Sequence, residues 1–300
     1  MDQKTKEKST WILVGIVWAL VVVLLVAIVF MIVMFVGNHR NTALTTEPST
    51  ETTQTTEAPT EPEETTPPTD PGPPELDLPE NPYGEEDFEY KGRYLNCTAG
   101  KSVLGIDVSV WQGDINWVLA KAGGVEFAMI RLARRGGDEG ILEEDSYVHT
   151  NYEGAKDAGV QVGGYFFSQA ITPEEAVEEA EFVLELVKDW KFEMPIVFDW
   201  EQAGGSRTVN MDPRTLTDCA KAFCQTIEDA GFDAMVYFNV KQAYYEIYLD
   251  ELTEYGFWLA MYDSPMDFPY KVDMWQYTST GSVPGINGNV DLNLYFPYEE

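Results

Sequence analysis

Two acids one residue apart, Asp199 and Glu201 in the run Phe198-Asp199-Trp200-Glu201, are the pair most capable of chemistry in this sequence. On a strand, residues i and i+2 point to the same face, roughly 6.5–7 Å apart at Cα. Two close carboxylates in a partly dry site cannot both ionise cheaply, so the proton affinity of one rises. A carboxylic acid still protonated near neutral pH can protonate a leaving-group oxygen, as glycoside hydrolysis requires. Phe198 and Trp200 would supply apolar surroundings. An isolated Asp-x-Glu is nevertheless common, and alone it describes a solvated strand end better than a site. Asp107 in Gly-Ile-Asp-Val-Ser and Asp291 in Asn-Val-Asp-Leu-Asn stand at other strand ends.

Alternating apolar strands and amphipathic helices position these acids. Strands are predicted at Val103–Ser109, Phe127–Ala133, Gln161–Ser168, Pro195–Glu201, Ala234–Asn239, Phe257–Tyr262, Met274–Tyr277 and Val290–Leu292. Helices are predicted near Ile115–Ala122, over Glu144–Ala158, after the cap Thr172-Pro173-Glu174-Glu175, and from Asp212 to Ala230. About eight such strands separated by helices indicate an α/β fold, a TIM-barrel-like (β/α) barrel of parallel strands. Functional side chains then belong where strands end and loops begin.

The first hundred residues cannot build a core. Residues 1–10 are short and polar. Residues 11–36 carry no charge and no proline, and as a helix they span roughly 39 Å, more than the ~30 Å hydrocarbon core. The run is too long for a cleavable signal peptide. Lys4, Lys6 and Lys8 precede it, so it reads as a single-pass transmembrane anchor with a cytoplasmic amino terminus. Residues 37–101 are assigned to a disordered Thr-, Glu- and Pro-rich linker, and residues 102–300 to the catalytic domain. The net charge of -32 leaves no basic surface for nucleic acid. Cys97, Cys219 and Cys224 form no disulfide framework and are expected as buried thiols. With only His39 and His149 available, no Cys/His metal site is expected, nor any cofactor.

Five segments taken together are more specific than the acid pair: GIDVSVWQGDINW (105–117), NYEGAKDAGVQVGGYFFSQA (151–170), PIVFDWE (195–201), FWLAMY (257–262) and WQYTSTGSVPGINGNVDLN (275–293). In order and spacing they closely resemble glycoside hydrolase family 25, the Chalaropsis-type lysozymes. The resemblance implies an irregular barrel with fewer flanking helices than a regular one. It also implies hydrolysis of the β-1,4 bond between N-acetylmuramic acid and N-acetylglucosamine in peptidoglycan. It makes Glu201 the general acid and then base. Asp199 becomes the group that orients the substrate's acetamido arm, or else a direct nucleophile. Asp107 and Asp291 become further acids lining the site. Tyr165, Tyr237, Asn239, Tyr262, Trp275, Gln276 and Tyr277 are the expected substrate-binding residues, whereas Trp111 and Trp258 are expected in packing roles. Peptidoglycan strands are the expected partner, met by a monomeric catalytic domain on the outer, cell-wall side of a bacterial membrane. A tethered glycan-binding protein without catalysis and a hydrolase of chitin-like polymers are the alternatives. One stretch departs from the family: where many members read Lys-Ala-Thr-Glu-Gly, this chain has Arg131-Leu132-Ala133-Arg134-Arg135-Gly136. That substitution implies either a positive rim or a replaced structural ion pair.

Overall fold

A computed structural model describes residues 73–202, 206–262 and 264–297. The expected cytoplasmic tail, the membrane span 11–36 and linker residues 37–72 lie outside the described residues. Among the described residues no helix is long and apolar enough to cross a membrane.

Eleven strands are present: β1 (Phe88–Lys91), β2 (Tyr94–Cys97), β3 (Val103–Val108), β4 (Phe127–Arg135), β5 (Leu142–Glu144), β6 (Gln161–Ser168), β7 (Ile196–Trp200), β8 (Ala234–Asn239), β9 (Gly256–Ala260), β10 (Met274–Gly281) and β11 (Val290–Tyr295). The helices are α1 (Trp117–Ala122), α2 (Val148–Asp157), α3 (Pro173–Val187), α4 (Pro213–Asp229) and α5 (Val240–Tyr245). The main sheet runs β3-β11-β10-β9-β8-β7-β6-β4 and closes through pairing of β3 with β4. It is therefore an eight-stranded barrel, with β5 added antiparallel to β4.

The barrel is mixed, which corrects the expectation of parallel strands throughout. β11 runs antiparallel to both β10 and β3. A parallel return needs a crossover of about a dozen residues or more. Residues 282–289 contain only turns, so the chain comes straight back. A second difference lies at Glu144, which belongs to β5 and not to a helix; α2 starts at Val148, after Asp145 accepts a hydrogen bond from the Tyr147 amide (2.9 Å). Both longer helices are capped at their amino ends, α3 at the predicted residue. Thr172 Oγ1 accepts from Glu175 N, and Asp212 Oδ1 accepts from Thr215 N.

Side-chain alternation divides the interior into two layers. Ile106, Ile130, Phe166, Phe198 and Val236 face outward against the helices, and Phe198 packs on Phe223 of α4 at 5.4 Å. Phe127, Met129, Val197, Met235, Trp258 and Met274 fill the barrel itself. Cys97, Cys219 and Cys224 are buried free thiols.

Residues 73–101 do not belong to the linker. β1 and β2 pair as an antiparallel hairpin. Leu76, Leu78, Tyr83, Phe88 and Leu95 pack on the barrel's outer layer. Phe88 meets Trp275 edge-on at 5.1 Å, and Tyr83 meets Phe296 at 5.3 Å. The Leu76 amide donates to Tyr270 Oη (2.7 Å). These side chains are half-buried, so each contributes a part of the about 1.5–3 kcal/mol that full burial of such a side chain gives. Those few apolar residues outweigh the polar, proline-rich texture from which the sequence alone predicts a boundary at 102.

Candidate active site

A cleft of about 250 Å³ opens where β3, β6, β7, β8, β10 and β11 present inward residues, and its walls carry Asp107, Asp199, Glu201 and Asp291. The i, i+2 geometry of β7 holds as expected. Phe198 and Trp200 point to the helix layer, while Asp199 and Glu201 turn into the cleft. The apolar surroundings of the acids thus come from Tyr165, Tyr237 and Trp258 and not from their sequence neighbours. Asp107 and Asp291 are directly opposed in the β3–β11 register.

Asp107 is the most firmly held of the four. Its Oδ2 accepts from Gln276 Nε2 (2.7 Å) and Asn293 Nδ2 (2.8 Å). Gln276 Oε1 in turn accepts from Tyr237 Oη (3.1 Å) and from Tyr262 Oη. Asn293 Oδ1 accepts from Trp258 Nε1 (2.9 Å). One chain of hydrogen bonds therefore ties Asp107 to Tyr237, Tyr262 and Trp258. Asp199 differs: its Oδ1 is buried and finds no donor among the described residues.

All four carboxyls hold protons more tightly than free side chains do. Burial, followed by the Asp291 charge, pushes Asp107 up to about 8, against the opposing hydrogen bonds from Asn293 and Gln276. Asp199 is raised well above 3.8 by burial, then by the charges of Glu201 and Asp107, with Arg131 opposing. Burial and then Asp291 raise Glu201, and burial raises Asp291. Loss of water around the charged form is the leading cause at every one of them.

Arg131 is the cation in the cleft wall. Its Nε and Nη2 both donate to Asp145 Oδ2, at 2.8 and 2.7 Å. Arg135 is buried against Glu179 (2.7 Å) and also reaches Glu178, while Arg134 pairs with Glu143 on the surface. Each arginine of the departing stretch thus has a carboxylate partner, and the positive rim allowed by the sequence is not formed.

The expected binding residues divide. Tyr165, Tyr237, Tyr262 and Gln276 line the cleft. Trp275 and Tyr277 do not: they alternate with Gln276 on β10 and face the β1–β2 hairpin. There Trp275 Nε1 donates to the Met261 carbonyl (2.9 Å), and Tyr277 Oη accepts from the Leu95 amide (3.4 Å). Three consecutive strand residues cannot share a face. Asn239 is a helix cap, its Oδ1 accepting from Gln242 N at 3.0 Å. Trp111, expected in packing, is 82% exposed and stands at the cleft rim. Ser109, Gln112 and Phe167, none of them among the expected site residues, also line the cleft, as does Arg131. The signal for Trp111 and Gln112 is their place just past β3, the strand that carries Asp107 near its end.

Among the described residues no group of His, Cys, Asp and Glu is arranged to hold a metal ion. The four acids lie among aromatic walls, and such a cleft can supply a carboxyl proton while placing a carboxylate beside a sugar ring. That is the equipment of a carboxylate-dependent glycosidase. The chain belongs to glycosyl hydrolases family 25, whose model matches residues 106–286. It is similar to an autolytic lysozyme of Clostridium acetobutylicum, 27% identical over 196 residues, covering 64% of this chain and 55% of that protein. Lysozyme M1 of Streptomyces globisporus is 28% identical over 208 residues, covering 64% of this chain and 67% of its own length. Among solved structures, a modular autolysin of Streptococcus pneumoniae in complex with a synthetic peptidoglycan ligand superposes with a TM-score of 0.58. It is 25% identical and covers 65% of this chain and 47% of that one. The chain therefore spans about half the length of the clostridial and pneumococcal proteins.

Proposed function

We propose that the chain is an extracellular N-acetylmuramidase, tethered to the membrane, that hydrolyses the β-1,4 bond between N-acetylmuramic acid and N-acetylglucosamine in peptidoglycan. The observation that carries this reading is the inward pair Asp199 and Glu201, at the end of β7 in an acidic, aromatic-walled cleft. Glu201, its proton affinity raised, serves as general acid toward the glycosidic oxygen and then as general base toward water. Asp199 has a free Oδ1 for the N–H of the substrate's acetamido arm. This contact would orient the acetamido oxygen toward the anomeric carbon. Tyr165, Tyr237 and Tyr262 offer ring faces and hydroxyls to the sugars, with Trp111 at the entrance. Family membership and similarity to two lysozymes support the substrate class.

The test is to incubate the full-length chain with purified peptidoglycan and identify the new reducing ends by mass. Reducing N-acetylmuramic acid is the expected product. Reducing N-acetylglucosamine would reassign the bond, and binding without new ends would leave a glycan-binding protein.

The tether rests on the uncharged run 11–36 with Lys4, Lys6 and Lys8 before it, which puts the amino terminus in the cytoplasm and the barrel at the wall. In membranes washed with alkaline carbonate, the full chain is expected to stay in the pellet and a chain lacking residues 1–36 to be released. Release of both would remove the anchor from this reading.

A further inference from the structure

The end of β7 has a feature that the acid pair does not explain. The strand's register with β8 stops at Asp199↔Tyr237, and with β6 at Ser168↔Trp200. Two buried glutamines continue the pairing where the sheet stops. Gln242 Nε2, from α5, donates to the Trp200 carbonyl at 2.7 Å. Gln169 Nε2, just past β6, donates to the Glu201 carbonyl at 2.8 Å. These two carbonyls belong to the peptide units on either side of the Glu201 Cα. Peptide units are planar, so holding both sets the backbone dihedrals of Glu201 and the direction in which its side chain leaves the strand.

Neither amide can turn over. Gln242 Oε1 accepts from the Asn239 amide (2.8 Å) within a reciprocal cap. Gln169 Oε1 accepts from Thr208 Oγ1 (3.1 Å), and its Nε2 also donates to the Ser168 carbonyl (2.8 Å). A reversed amide would set oxygen against carbonyl oxygen at both sites. Behind Gln169, Ser168 Oγ donates to Glu179 Oε2 (2.6 Å), and Glu179 is fixed by Arg135. The clamp is thus anchored in α3 on one side and α5 on the other.

We propose that Gln169 and Gln242 are positioning residues that hold Glu201 in its proton-delivering orientation from opposite sides. This rests on the reading of Glu201 as the acid. Remote misplacement of a reacting group by about 1 Å costs on the order of a hundredfold in rate.

The test compares full-length wild type with Gln169→Glu and Gln242→Glu. An ionised carboxylate keeps the shape of the amide but turns an acceptor toward the carbonyl. Each variant is expected to lose kcat on the order of tenfold to a hundredfold at neutral pH, with KM within about threefold. The ratio of variant to wild-type kcat should recover toward acid pH, where the new carboxyl is protonated and its O–H donates to the same carbonyl. Gln169→Asn, one methylene short, stands in should the Glu forms not fold. Thr217→Val removes an equally buried hydrogen bond, to the Tyr248 amide (3.0 Å), away from the cleft; it is expected to lower Tm and leave kcat unchanged. A readout independent of turnover is the carbon-13 titration of the Glu201 carboxyl, assigned with Glu201→Gln. Its midpoint is expected to move in the clamp variants even if the wild type proves inert on peptidoglycan, which would sink the muramidase reading alone. Folded variants with a flat kcat ratio and an unmoved Glu201 midpoint would overturn the clamp.

Discussion

Glu201→Gln is expected to lower kcat on peptidoglycan at least a hundredfold while leaving KM within a few-fold, the scale of lost general acid–base catalysis. The amide is nearly the same size and still lines the cleft, so substrate contacts survive; the transferable proton does not. Folding should not suffer, because the wild-type carboxyl is partly buried and faces the Asp291 charge. The Gln form is expected to melt at the wild-type temperature or slightly above. The pH profile of the wild type follows from the same causes. Glu201 is raised above 4.5 by burial and then by Asp291, so activity should persist above the ordinary carboxyl range and fall as pH rises through the raised value. Asp291→Asn removes the like charge and should draw that alkaline limb toward lower pH. A Glu201→Gln protein retaining more than about a tenth of wild-type kcat would exclude Glu201 as the acid.

How far the sequence reveals such a site depends on where each residue's partners lie. The β7 acids were legible because i and i+2 on a strand share a face whatever surrounds them. The same rule, applied along β10, separates Gln276 from Trp275 and Tyr277; an aromatic ring at a strand end suits a sugar and so nominated both neighbours, yet of the three only the middle one faces the cleft. Asn239 stands at a strand end like the cleft acids, but Gln242 three residues on completes a reciprocal cap, a local pattern that competes with a binding role. The arginines were ambiguous for a different reason. Arg131 is paid back by Asp145 and Arg135 by Glu179, partners fourteen and forty-four residues away that the β4–β5 and β4–β6 pairings bring near. The hairpin before the barrel was obscured by averaging: Phe88 and Leu95 are few among polar residues, yet each finds an apolar wall. The antiparallel β11 followed from the length of one connection, which a count of strands alone does not weigh.

Asp199→Asn is expected to separate activity from stability in opposite directions. The carboxyl is buried, its Oδ1 finds no donor among the described residues, and Glu201 and Asp107 stand near it. These raise its proton affinity in the fold above the ordinary 3.8. The folded state therefore keeps a proton that the unfolded chain has released, and stability falls as pH rises through this window. Below about pH 4 both states are protonated and wild type and variant should be equally stable. As pH climbs toward neutrality and above, the wild type carries an unfavourable buried charge or holds a costly proton, whereas the neutral amide does neither. At pH 8 the Asn form should be the more stable, by about 1.4 kcal/mol for each tenfold rise in proton affinity that the fold imposes on Asp199, or roughly 2–4 °C in Tm for each kcal/mol in a domain of this size. The same substitution should cost activity heavily. An Asn side chain offers its oxygen to the acetamido N–H without the charge that strengthens the contact as positive character develops on the substrate, so kcat should fall on the order of a hundredfold. Arg131 retains Asp145 in the variant and stays in place. Thermal unfolding from pH 4 to 8, beside kcat at each pH, reads both effects. A stability gap that is absent at pH 8, or that widens toward acid, would show that Asp199 is not the strained carboxyl of this cleft.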